Sequence, residues 1–481
     1  MSTNAGNIHV KRYIDDLNET LESNQPPDQV NFEIKKCLLS LNPLKTITED
    51  PKKLVANIKR LLIESTSESE LDFDLILELL NTLINKCCFE VILEVFSIDD
   101  LKMALKSTLL PLVNAACNVI SRSYPKGLFA TSDLFDVIIG LYFNIDTDVS
   151  VINSIEKVFE ELSSNELVRK RIFENNSLII DSVRRGTEPT LISRLLELLK
   201  IESKFIDRCE FDEKLFSFTS QEIFNYLKAD IVLFINIVVY YTDFLDEATV
   251  VNFANKNTEW LLKYVLEIIP TFGKIYSLGD NYPDIRYFSR TYLFKFFRKV
   301  SYLEDDSYFK SLDEKYLRIS EQNKNLKDFL SFVNPAYLFR YHCSLLRDYI
   351  TVTPTKLGAI RNVISDPQCF ELIKNHLTSD AILLLPYMEQ MVLLQRLSLF
   401  SHSVYYLVHS LPRVMSNLIQ NSGDISEPET ASLREEAIVN LLRFNSTTLN
   451  VWYIPLTDAL AKISNPKTKH EPEPQLASSF I

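Results

Sequence analysis

Eight glycines in 481 residues set the first limit on what this chain can become. Tight hairpins, bulged strands and nucleotide-cradling turns draw on glycine for positive φ. An average chain carries roughly 7% glycine, and this one has under a quarter of that proportion. An all-β fold and a doubly wound nucleotide-binding fold are both disfavoured. Leu, Ile, Lys, Glu, Asn and Ser fill the space instead, which suits helices and their caps.

Stripes of apolar residues at helical spacing recur from end to end. In "LDFDLILELLNTLINKC" Ile76, Leu79, Leu80, Leu83 and Cys87 share a face, and in "PTLISRLLELLKIES" Leu191, Ile192, Leu195, Leu198 and Leu199 do so. Such spacing predicts amphipathic helices, interrupted by Pro, Asn, Asp and Ser clusters at normal helix lengths. Roughly two dozen helices are expected on that count. "IVLFINIVVYY", residues 231–241, is too short to span a bilayer and is interrupted by Asn236, so it reads as a buried helix. No secretory signal is visible in "MSTNAGNIHVKRYIDDL".

Three segments share a repeat grammar: "LLPLVNAACNVISRS", with the small pair Ala116 and Cys117 between apolar positions, and two helix–turn–helix stretches, "LFDVIIGLYFNIDTDVSVINSIEKVFEEL" and "IIPTFGKIYSLGDNYPDIRYFSRTYLFKFF". The last resembles a HEAT repeat. Pro270 sits within the first helix, Asp280 in the turn, and Pro283, Asp284 and Ser289 open the second. Pro283 suits a first helical turn, Asp284 complements a helix N-terminus, and Ser289 lets a neighbour approach. The expected fold is therefore all-α: a right-handed, curved α-solenoid of HEAT/ARM-like repeats. It would run over residues 1–464 without an internal break, ahead of a Pro-rich, charged tail, 465–481, expected to be disordered. Residues 63–74 and 421–436 read as polar connections within the array. In "SYPKGLFATSDLF", Pro125-Lys126-Gly127 reads as a turn between repeats. Thr131 or Ser132 should cap the next helix, with Asp133 in its first turn.

Signatures of chemistry are sparse. The chain contains no P-loop, dinucleotide fingerprint, nucleophile elbow, kinase motif set or C-x-x-C. Seven scattered cysteines, Cys37, Cys87, Cys88, Cys117, Cys209, Cys343 and Cys369, suggest buried free thiols in a reducing compartment. His402 and His409 could share a helix face, but no further metal ligand accompanies them in "SHSVYYLVHS". A net charge of −13 argues against nucleic acid as a direct partner. No enzymatic activity, metal or cofactor is expected.

Aromatic and cationic residues interleave in two places. "IRYFSRTYLFKFFRKV" aligns Tyr287, Arg290, Phe294 and Arg298, opposite a core face of Ile285, Ser289, Tyr292, Leu293, Phe296 and Val300. "NPAYLFRYHCSLL" repeats the theme with Tyr337, Arg340 and Tyr341. These residue types are enriched at protein interfaces. The competing reading is a solvated helix edge with snorkelling arginines.

Several unusual strings carry a more specific likeness. "PLVNAACNVISRSYPKGLFATS", "NYPDIRYFS", "NPAYLFRYH", "LPYMEQM" and "VWYIPL" occur in that order between residues 111 and 456. In them the chain resembles the budding-yeast-type family of assembly chaperones for the base of the proteasome regulatory particle. That family is also named for enhanced spontaneous mutability and for DNA mismatch repair. The likeness fades over the first 25 residues and beyond Asn465. It implies a non-enzymatic HEAT-type solenoid, monomeric in isolation and cytoplasmic, with room for a nuclear fraction. It further implies that the concave surface holds the C-terminal domain of one proteasomal ATPase subunit, and that a second ATPase and the largest non-ATPase scaffold subunit join the same module. In HEAT geometry the Tyr/Arg stripes on second helices would face that surface. A mismatch-repair factor acting through protein partners is the alternative.

Overall fold

The computed structural model describes residues 3–23, 25–47, 50–64, 71–205, 212–249, 259–279, 282–420 and 427–464. Expectations for the 465–481 tail, for Cys209 and Asp280, and for residues 65–70 and 421–426 of the two polar connections fall outside these residues. The rest of the expected 421–436 connection is not loop, because from residue 428 it forms the helix Pro428–Leu442, opened by its proline. Among the described residues there are 28 α-helical segments, short 3₁₀ and π turns, and no strand. They form two compact units, Met1–Ile268 and Ile269–Ile481.

Local chemistry fixes the helix starts. Ser97 with Asp100, and Thr219 with Glu222, make reciprocal capping boxes. Asp72, Asp148, Asn165, Asn334, Asp366 and Thr378 each accept a backbone N–H in the first turn that follows. Proline opens Pro27–Leu41, Pro189–Ser203 and Pro428–Leu442, where its missing N–H costs nothing.

In the first unit Phe73–Lys86 packs on Leu110–Ser121, which packs on Val149–Leu162, then Pro189–Ser203, then Ile231–Thr249. Successive members begin about 40 residues apart, the period of HEAT-type repeats. Each also rests on a flanking helix of its own repeat, as Ile98–Leu105 does on Leu110–Ser121. The second unit repeats the plan through Arg290–Ser301, Leu326–Phe332, Leu357–Val363, Tyr387–Leu397, Pro428–Leu442 and Tyr453–Ser464. Packing chiefly on neighbours in sequence is the mark of an α-solenoid, and each unit is one.

Amides and buried arginines stitch successive rungs. Asn118 donates to Asn81 Oδ1 at 3.1 Å and Asn236 to Ser193 Oγ at 3.0 Å. Asn362 donates to the carbonyls of Leu330 and Val333. Arg194, 9% exposed, donates to the carbonyls of Tyr142, Asn144 and Thr147 at the end of the preceding pair. The segment at 231–241 is a core helix, with Phe234, Ile237, Val238, Tyr240 and Tyr241 buried. Among the described residues no helix is long and apolar enough to cross a membrane.

Three details correct the sequence reading. The expected core face of the second stripe helix holds at Ile285, Ser289, Leu293, Phe296 and Val300, but Tyr292 is half-exposed and Phe297 is buried. Asp133 occupies the N-cap position of Leu134–Tyr142 and does not lie in its first turn. Its carboxylate pairs with Lys102, while Ser132 Oγ reaches Leu134 N–H at only 3.4 Å. Cys37, Cys117 and Cys369 are buried as expected, but Cys88 is exposed, and Cys87 and Cys343 are half-buried. Burial pushes the Cys117 thiol up to about 12. The 125–128 turn forms, with Leu128 N–H donating to the Pro125 carbonyl at 2.9 Å. Gly127 serves it through size, because a Cβ there would lie 2.9 Å from the Asn165 amide.

Candidate partner-binding surface

The two aromatic–cationic stripes do not form one surface. A π turn over Ile285–Ser289 precedes the α-helix Arg290–Ser301. Its wider spacing inserts an extra residue per turn, so Tyr287 falls out of phase with Arg290, Phe294 and Arg298. Tyr287 is 72% exposed and lies beside Arg286. Phe294 is half-buried in an aromatic cluster with Tyr276, Phe329 and Phe332. Arg290 stacks against Phe294 and donates to Asn325 Oδ1 at 3.3 Å. Arg298 is exposed.

The second stripe divides as well. Tyr337 is buried, and its hydroxyl donates to Asp313 Oδ2 at 2.9 Å. Burial, then the Asp313 charge, pushes its phenol well above the ordinary range. Arg340 and Tyr341 remain at the surface, where both engage Asp306. Tyr341 also receives Lys310 over its ring at 4.9 Å.

What the structure builds beside Arg290 is a recess that the stripes did not announce. A groove of about 680 Å³ is bounded by Tyr276–Gly279, Ile285–Arg290 and the loop 315–325. Arg286, Arg290, Lys315, Arg318 and Lys324 all line it. Among the described residues none of the five is ion-paired with a carboxylate. Two lysines and an arginine on the loop, in "KYLRISEQNK", were the available signal, but they carry no helical period.

The loop is held from beneath. Asp313, 4% exposed, opens a π turn over Asp313–Leu317. Its Oδ1 accepts from Ile319 N–H at 2.8 Å, and its Oδ2 lies 2.7 Å from His342 Nε2 as well as meeting Tyr337. Arg318 closes the turn in the left-handed region at φ 52°, its N–H donating to the Asp313 carbonyl at 2.7 Å. Asn323 donates to the carbonyls of Leu317 and Arg318, and Asn325 to Tyr276 Oη at 2.7 Å. The Tyr337–Asp313–His342 cluster therefore acts as a structural brace.

A second basic feature lies along the same row of helices. Arg396 donates Nε–H to the Arg361 carbonyl at 2.8 Å and stacks on Phe400. Burial, with Arg361 and Arg298 nearby, lowers its guanidinium pKa. Arg298 thus belongs to an arginine ridge at helix C-terminal turns and does not extend the Arg290 groove. His402 Nε2 lies 2.8 Å from the Ile364 carbonyl and His409 Nδ1 2.9 Å from that of Tyr405. In the first unit an apolar recess of about 310 Å³ is lined by Leu62, Phe96, Met103 and Ala116 among others.

The whole chain has relatives. The family described as "DNA mismatch repair protein HSM3, N terminal domain" matches residues 11–246, and the corresponding "C terminal domain" family matches 258–481. Proteins called "DNA mismatch repair protein HSM3" align nearly end to end. That of Eremothecium gossypii is 42% identical over 440 residues, 91% of this chain and 92% of the relative. That of Saccharomyces cerevisiae is 36% identical over 466 residues, 95% and 96% respectively. That of Kluyveromyces lactis is 32% identical over 472 residues, 98% and 99%. Among solved structures, the one described as "Kap95p Binding Induces the Switch Loops of RanGDP to adopt the GTP-bound Conformation" gives a TM-score of 0.42 at 12% identity. It covers 94% of this chain and 58% of its own.

Proposed function

The chain belongs to the HSM3 family, and on that premise we propose that it is a non-enzymatic assembly chaperone for the base of the proteasome regulatory particle. In this reading it holds the C-terminal domain of one proteasomal ATPase subunit and helps gather a second ATPase and the largest non-ATPase scaffold subunit. It acts in the cytoplasm.

The supporting observation is the character of the surface. Stacked helix pairs build long faces suited to a macromolecular partner. On one such face five cations stand, among the described residues, without carboxylate partners, at a groove braced from below. An unneutralised, mostly exposed cation set binds and orients a partner. Polar contacts of this kind suit an interface that forms and is later released. Arg290 at the groove and Arg298 at the ridge are the stripe residues assigned to partner contact.

The test is affinity purification of the tagged chain from its own cells. Recovery with ATPase-containing base subcomplexes, depleted of finished proteasomes, is expected. Equal recovery with mature particles contradicts the reading. A second reading, a mismatch-repair factor acting through protein partners, is favoured by the names of the relatives. Enrichment of repair proteins in place of base subunits would select it.

A further inference from the structure

We propose that the groove of the second unit is a docking site for an acidic peptide segment of a partner protein, a short run of Asp and Glu interspersed with apolar residues. This rests on the protein-binding reading above, though not on the identity of the ATPase. The charge distribution points the same way. Residues 269–481 carry 23 Lys and Arg against 22 Asp and Glu, whereas residues 1–268 carry 28 against 42. The cations at the groove are therefore a local concentration in a strongly acidic protein. Arg286, Lys315, Arg318 and Lys324 are exposed, and Arg290 donates to a neutral amide, that of Asn325. Among the described residues the groove lining carries five cations and no carboxylate. Carboxylates relieve the repulsion among like charges and match guanidinium groups in paired geometry.

The floor supplies the second half of the recognition. Tyr276, Ile285 and Tyr316 line the same groove, offering apolar contact between the charged positions. Its volume falls within the range of clefts that enclose a small ligand, roughly 300–1,000 Å³. Arg318 in the left-handed region is a local strain that persists because the Asp313 brace over-determines the turn. A braced loop also binds at a smaller entropic cost than a mobile one. A nucleic acid fits less well. Five cations fall short of the roughly 6–10 phosphate contacts of a strong polyanion binder, and a net charge of −13 repels a long polyanion.

The experiment uses the full chain and fluorescein-labelled probes. These are a Glu-rich peptide interspersed with Leu and Phe, its Glu→Gln analogue, and a single-stranded oligonucleotide of equal charge, with inorganic phosphate as competitor. The acidic peptide should bind, weaken with added salt, and exceed its Gln analogue by at least ~10-fold. Arg286→Glu with Arg318→Glu and Lys324→Glu should lower affinity ~10-fold or more, with helical circular dichroism unchanged. The milder Arg286→Gln, Arg318→Asn, Lys324→Gln set should lower it less, and it covers the case in which charge reversal disturbs folding. Equal affinity for the Gln analogue, insensitivity to both sets, or tighter oligonucleotide binding overturns the proposal. So does competition by phosphate as effective as that by unlabelled peptide. If the wild type captures an ATPase C-terminal domain and both variant sets capture it equally, the chaperone reading stands and the groove assignment falls.

Discussion

Glu202 makes the stability of this fold pH-dependent in a way that can be worked out in advance. It lies in the helix Pro189–Ser203 with no exposed surface, and Ser163 donates a hydrogen bond to its Oε1. Burial lifts its carboxyl from an ordinary 4.5 to about 8, outweighing Ser163 and the Arg169 charge, which pull it down. In the folded chain it therefore keeps a proton that the unfolded chain has released. Its contribution is fully present below about 4.5 and is lost as pH rises through about 8. The slope is about 1.4 kcal/mol per pH unit, or about 4–5 kcal/mol over the whole window. That is a large part of the roughly 5–15 kcal/mol that stabilises a typical domain. Glu202→Gln removes the titration. A fixed offset from the amide's second N–H leaves the slope untouched. The chain has two tryptophans, and a Trp452→Phe background leaves Trp260, packed edge-on against buried Phe216, as a reporter on the first unit. Urea unfolding followed by its fluorescence from pH 5 to 8.5 should show Glu202→Gln gaining on the parent by about 1.4 kcal/mol per unit up to about 8, then levelling. A difference that stays constant across the range would refute the burial argument.

Three further outcomes follow from the geometry. Arg434, 2% exposed, donates to the carbonyls of Leu418 and Ile419 at the end of Pro412–Gln420. Arg434→Met should cost the second unit about 2–3 kcal/mol, read by Trp452 fluorescence, because those carbonyls lose their donors. A Cβ at Gly273 would lie 2.6 Å from both Leu312 Cδ1 and Tyr316 Cδ2. Gly273→Ala should cost about 1–3 kcal/mol by overpacking, and it should also weaken acidic-peptide binding by displacing Tyr316, as anisotropy would detect. Gly127→Ala should press on Asn165, the cap of Glu166–Lys170, and lower the melting temperature by an amount equivalent to about 1 kcal/mol.

Much of the architecture was legible because helix periodicity and capping are local. Ile76, Leu79, Leu80 and Leu83 face the core as their spacing requires. Pro283 begins helical structure as expected, although a π turn then intervenes. That turn is also where the reading of the site failed. One extra residue per turn rotated Tyr287 away from Arg290, and no composition rule anticipates it. The groove was illegible for a related reason: beside Arg290 on an α-helix, its cations come from two π turns, a left-handed residue and an irregular loop, which share no period. Tyr337 looked like an interface residue because the carboxylate that buries it, Asp313, lies 24 positions upstream. Glu202 gave no signal in "LLELLKIES", since only packing around Ser163 shows that its face of the helix is enclosed.

In the proposed function this chain recognises one proteasomal ATPase subunit through that subunit's C-terminal domain. Calorimetric titration of the full chain with the isolated C-terminal domain of each base ATPase tests it directly. Saturable binding to one domain is expected, with weak or no binding to the others. Uniform binding to all of them, or binding to none, would contradict it.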